Sequence, residues 1–348
     1  MEGAEVAEAR ARGYHLLGRL LAVGPVQSLR DAASQVPALA AALPTERDDD
    51  AVAADHHALF GFDILPYEGV FRAADGLLGG PATAAVASSY AAAGWIPPDD
   101  GESADHAAVE LAFLAWAAGI QADAARAGDE GRALRAARAQ RHFLETHLLH
   151  WLPALAAAVA SAGPRDGAPF YAAVLGLAVD LAADHVQDVP MAADQAQDVE
   201  ADGTVGIAED GAPDAAERLL AEPRTGLRDI ARFLTSPARA GVYLGRGAVV
   251  RAARTAGVPH GFGDRTSMLG DALSAAAHLD RVGELARALD EEVAAQARWV
   301  AARRVVAGEA GLRILERALA PWAERAAGSR LLLGRVAVQA GAGLANEA

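Results

Sequence analysis

The stretch ESADHAAVELAFLAW, from Glu102 to Trp116, sets three chemically capable side chains at the front of an otherwise apolar run. Glu102, Asp105 and His106 lie together, beside Asp99 and Asp100. Glu110 follows four residues after His106, so a helix puts the two on one face. It is also the only charge between His106 and Asp123. One acid here is explained by helix chemistry: Asp105 or Ser103 can cap the free N–H groups of a first turn, where negative charge is favoured. The group as a whole is not. Two chemistries fit it. The carboxylates can accept guanidinium groups through charge-assisted, bidentate hydrogen bonds. Alternatively, His106 can act as an acid–base group with Asp105 orienting it, as in an enzyme or a small-ligand binder.

Other constellations are weaker. His142, His147 and His150 are spaced by five and three, so only the last pair shares a helical face, and His56 and His57 are adjacent. No HExxH and no Glu-x-x-His pair is present, so no metal or other cofactor is expected. No GxSxG, Walker loop or GxGxxG occurs. The glycine-rich GFGDR (261–265) reads as a tight turn before a helix, with Asp264 as its cap. Arg132, Arg135 and Arg138 read as a solvated face.

The elements that must position these residues are helical. Alanine dominates an apolar half of the composition, and scattered Leu and Arg favour helix. The most strand-like stretch, RLLLGRVAVQAG, is short and contains glycine. With 348 residues, the chain is expected to form a helical body and a further unit. The absence of cysteine excludes thiolate metal sites and cysteine nucleophiles. A net charge of −15 argues against nucleic acid and for a basic peptide partner. No stretch is expected to span a bilayer, and the acidic start MEGAEVAEARARGYHLL lacks a signal-peptide layout. A soluble, cytoplasmic protein without membrane insertion is therefore expected.

Along the chain, residues 5–43 read as two helices broken at Gly24-Pro25, with Tyr14, Leu17, Leu20 and Leu21 on one face. FGFDILPYEGVF reads as a loop or turn, and PATAAVASSYAAAGW as a helix closed by Gly94. A helix over 107–118 follows. The run RALRAARAQRHFLETHLLHWLPALAAAVA reads as one long helix bent or broken near Pro153. Residues 187–214 are acidic and aperiodic and read as a linker. Helical periodicity returns from 215. The expected organisation is a helical domain over 1–186, the linker, and a C-terminal helical module over 215–348.

Five segments in order resemble one family. These are RGYHLLGRLLAVGPVQSLRDAA, DHHALFGFDILPYEGVF, VASSYAAAGW, ESADHAAVELAFLAWAAG, and FLETHLLHWLPALAAAV followed by FYAAVLGLAVDLAAD. They are similar to the TorD/DmsD/NarJ-type chaperones that mature molybdenum enzymes. Ala104 stands where that family has a proline before Asp-His, and Gly69 where it has a serine after Tyr-Glu. The pattern does not cover 215–348. The resemblance implies an all-α, TorD-like bundle that catalyses nothing. It implies a protein that holds the twin-arginine signal peptide and apo form of a molybdoenzyme catalytic subunit until its cofactor is inserted. A second copy of the chain, in a homodimer, is a further expected partner. The residues expected to bind that peptide are Glu102, Asp105, His106, Glu110, Tyr67, Glu68, Phe113 and Trp116, with Leu65 and Phe71 as further apolar walls. An adaptor acting through the C-terminal module is the remaining alternative.

Overall fold

The structure, a computed structural model, describes residues 3–44, 48–76, 78–98, 101–163, 167–188, 215–222 and 224–346. It is all-α and contains no strand among these residues. Of the expected linker, residues 189–214 lie outside the described residues.

The body begins with α1 (Ala4–Val23), α2 (Gln27–Ser34) and α3 (Pro37–Ala40), so Pro37 starts a third short helix where two were expected. Tyr14, Leu17, Leu20 and Leu21 of α1 are all buried, as their spacing requires. Helix α1 packs along α7 (Ala107–Arg126). Gly18 permits that approach, since a Cβ there would meet Leu111 Cβ at 3.2 Å and the Ala108 carbonyl at 3.3 Å. Next come α4 (Asp49–His56), a π-helical turn (His57–Asp63), α5 (Glu68–Arg72) and α6 (Pro81–Ala93). The stretch expected to be loop is thus mostly helical, with only residues 64–67 extended.

Pro153 does not break its helix. It lies inside α9 (Leu149–Ala160), and the irregular turn comes earlier, at the π-helical Leu144–Leu148 that follows α8 (Glu130–Phe143). Widening this preceding turn accommodates the proline ring and its missing N–H without ending the helix. Helix α10 (Ala168–Asp188) completes the body.

Three helical stretches, 107–126, 130–160 and 168–188, are long and apolar enough to cross a membrane by length and composition, where none was expected. Alanine lifts their hydropathy. Between 61 % and 78 % of each apolar window is buried against other helices.

Beyond 215 the chain forms α11 (Ala215–Ala221), α12 (Leu227–Leu234), α13 (Pro237–Ala240), α14 (Arg246–Ala256), α15 (Arg265–His278), α16 (Val282–Glu309) and α17 (Arg313–Asn346). RLLLGRVAVQAG is part of α17, not a strand. Asp264 caps α15 by accepting from Thr266 and Ser267 N–H, as its position in GFGDR suggests. Asp280 turns the chain between α15 and α16 in the left-handed region (φ 54°), which aspartate tolerates.

Two apolar cores result. One lies among α12, α14, α15, α16 and α17. The other fills the body around Tyr14, Phe71, Phe143, Trp151 and Phe170, and it takes in Tyr243, Val300, Leu315, Leu319 and Trp322 from beyond residue 215.

Candidate functional site

Two segments far apart in sequence meet at the front of α7. An antiparallel bridge pairs Tyr67 with His106. The Ala107 N–H donates to the Pro66 carbonyl (2.9 Å), and the Glu68 N–H donates to the Asp105 carbonyl (2.9 Å). This brings Tyr67 and Glu68 against Glu102, Asp105 and His106, as expected.

Asp105 is fully buried. Its Oδ2 accepts from the Gly69 N–H (3.0 Å) and its Oδ1 from the Ser103 hydroxyl (2.5 Å). The carboxylate thus sits on the first turn of α5, where the helix end favours negative charge. It is drawn behind the surface on which it was expected to meet a peptide. It is also not the cap of α7. That position belongs to His106, whose Nδ1 accepts from the Ala108 N–H at 3.1 Å. An accepting Nδ1 puts the proton of neutral His106 on Nε2, which lies 3.3 Å from Glu102. The Asp105 oxygens are directed at Gly69 and Ser103 and not at His106, so the orienting dyad of the enzyme alternative is not built.

Glu102 is the acid that faces outward, its side chain 42 % exposed. The Tyr67 hydroxyl donates to it at 3.3 Å, and the Tyr67 ring meets the His106 ring edge-on with centroids 4.9 Å apart. Burial, and then the Glu102 charge, push the Tyr67 hydroxyl up to about 12, so it remains a donor.

Behind this edge lies a buried polar layer. Glu68 is fully buried. It pairs with Arg72, which also donates to the Thr146 carbonyl (2.9 Å), and with His147 Nδ1 (3.1 Å). His147 Nε2 bonds in turn to Ser89 Oγ at 2.8 Å. Glu110 was expected on the surface beside His106, but α7 turns it into the core, where Trp151 Nε1 donates to its Oε2 at 3.3 Å. Its Oε1 receives no hydrogen bond. Burial, and then the charge of Glu68, hold its carboxyl well above the usual carboxylate range. Burial beside a second acid thus favours the protonated form of Glu110. Sequence reading weighed His147 only as a metal ligand, and it missed Arg72, Ser89 and Trp151. They lie on separate helices, and no local spacing connects them.

The expected apolar walls divide in the same way. Phe71 is buried in the core, while Leu65, Tyr67 and Trp116 are half-buried. Phe113 is buried too, yet it lines a groove of about 300 Å³ with Ser88, Ala92, Ala139, His142 and Phe143. Trp95 and Trp116, both half-buried, continue this aromatic cluster above the buried Tyr90, and Ile96 stands 88 % exposed on the adjoining loop. Among the described residues no group of three or more His, Asp or Glu is arranged to hold a metal ion.

Residues 27–157 match the family model described as nitrate reductase delta subunit. No curated protein and no solved structure matches the chain. The matched stretch contains every residue of the edge, the buried layer and the groove, and it ends before the second half of the chain begins.

Proposed function

We propose, from the match of residues 27–157 to the nitrate reductase delta subunit model and the resemblance to molybdoenzyme maturation chaperones, that this protein binds the apo form of a molybdoenzyme subunit through its twin-arginine signal. The observation that supports this reading most is Glu102. It is an outward-facing carboxylate held by Tyr67 and His106. It stands at the front of the same helix, α7, that sends Phe113 into an aromatic-lined groove. A signal segment carrying paired arginines and an apolar run needs such a pairing of acceptor and groove. The net charge of −15 draws a basic segment toward the protein. In this reading Asp105, Glu68 and Glu110 do not touch the peptide; they hold the edge from behind. The protein performs no chemistry on its partner, and it acts in the cytoplasm before export.

Titration calorimetry with a twin-arginine peptide and its Lys-Lys variant tests the reading. Wild type binds the Arg-Arg peptide more tightly, and binding weakens as salt rises. Glu102→Gln loses about tenfold in affinity, the low end for a charge-assisted bond because the site is partly exposed to water. Equal affinity of wild type and Glu102→Gln removes Glu102 from the site. Absence of binding to either peptide refutes the proposed partner.

A further inference from the structure

The second half of the chain reaches back to the loop that carries Tyr67 and Glu68. The Tyr243 hydroxyl donates to the Asp63 carbonyl and accepts from the Leu65 N–H, each at 3.1 Å. The Tyr243 ring stacks on Phe71, with centroids 5.2 Å apart and planes 26° apart. Tyr243 is itself anchored. Its N–H donates to Gln296 Oε1 at 2.9 Å, and Gln296 Nε2 donates to its carbonyl at 2.8 Å, so α16 clasps its backbone on both sides. Two more bonds grip the loop's flanks: Gly247 N–H to Asp63 Oδ1 (2.7 Å) and Ser236 Oγ to the Ala74 carbonyl (2.8 Å). Gly245 permits this approach, since a Cβ there would meet Asp63 Oδ1 at 2.5 Å.

We infer that residues beyond 215 act as a built-in brace for the site, with Tyr243 the positioning residue that fixes the loop over 63–69. The Leu65 amide is the handle. One residue later the Pro66 carbonyl receives the Ala107 N–H, and three residues after that the Gly69 N–H meets Asp105. A loop that shifts at Leu65 therefore moves Tyr67, and Tyr67 is what presents Glu102. The inference rests on the proposed function only for its effect on peptide binding. The mechanical part stands on these contacts alone.

Tyr243→Phe in the full chain is the test, because it deletes the hydroxyl and keeps the ring on Phe71. Arg330→Ala, which breaks an exposed pair with Asp290 in the same half of the chain, is the control. Hydrogen–deuterium exchange is read over 63–69, and peptide affinity is read at a temperature where both variants are fully folded. Tyr243→Phe raises exchange at Leu65 about tenfold and weakens the twin-arginine peptide about threefold to tenfold, as expected for one lost hydrogen bond. The control changes neither. Wild-type exchange over 63–69 in Tyr243→Phe overturns the brace. Faster exchange with unchanged affinity overturns the positioning role, because a merely structural residue would behave that way. A wild type that binds no twin-arginine peptide defeats the proposed function, and the exchange result then decides the brace by itself.

Discussion

Replacing Glu110 with glutamine should stabilise the protein, against the usual effect of a change in the core. Glu110 is fully buried beside Glu68, and its carboxyl sits well above its ordinary value of 4.5 because burial and the Glu68 charge oppose ionisation. Between 4.5 and the raised midpoint the folded chain holds a proton that the unfolded chain has released. Stability therefore falls as pH rises through that window, by about 1.4 kcal/mol per pH unit. Glutamine matches the protonated acid in size. Its carbonyl can accept from Trp151 Nε1, and its amide can donate toward Glu68. It does not titrate, so this loss disappears. The variant should equal wild type near pH 4.5 and gain on it by about 1.4 kcal/mol for each unit above, until the folded-state midpoint is passed. Urea unfolding of both proteins from about pH 4.5 to about pH 7.5 reads this difference directly. Since Glu110 does not reach the surface, peptide affinity should be unchanged. A variant no more stable than wild type at neutral pH would refute the reasoning, because Glu110 would then be ionised in the fold.

Asp105→Asn should lower stability by about 1–3 kcal/mol, because one of the two oxygens that accept from Gly69 and Ser103 becomes an NH2 group that can only donate, while leaving peptide affinity within a few fold. Thermal melts beside titrations check this; full stability with a large loss of affinity would instead place Asp105 on the peptide surface. His185 is held down to about 3, chiefly by burial and then by Arg10, so the folded chain keeps it neutral. Its contribution is present above about 6.5 and is lost as pH falls toward 3, at about 1.4 kcal/mol per unit, opposing the Glu110 trend where the two windows overlap. An imidazole titration followed by NMR should show His185 still neutral at about pH 5, and a midpoint near the ordinary value of 6.5 would contradict this burial effect.

Much of this protein could be read locally. Helix content, the buried face of α1 and the Asp264 cap follow from spacing and composition, because they depend on interactions a few residues apart. The acidic front of α7 was legible for the same reason: an isolated charge group on an apolar run stands out in one dimension. What spacing could not assign is the direction of each acid. Glu102 and Asp105 are three residues apart, yet one faces water and the other is buried, and that choice was made by Gly69, a residue from another segment. Glu110 shares a helical face with His106 in projection, but the neighbour on that face is Trp151, from another helix. The caps followed suit: once Asp105 is drawn onto α5, His106 is left to close α7. Residues beyond 215 read as a separate helical stretch because nothing in their own pattern records that Tyr243 and Trp322 complete the core of the first half. Local sequence thus determined which segments are helical and where charge collects. Tertiary structure alone decided which charges are exposed, which acid is driven toward its protonated form and which half holds the other, because desolvation and long-range hydrogen bonds depend on neighbours that the order of residues does not reveal.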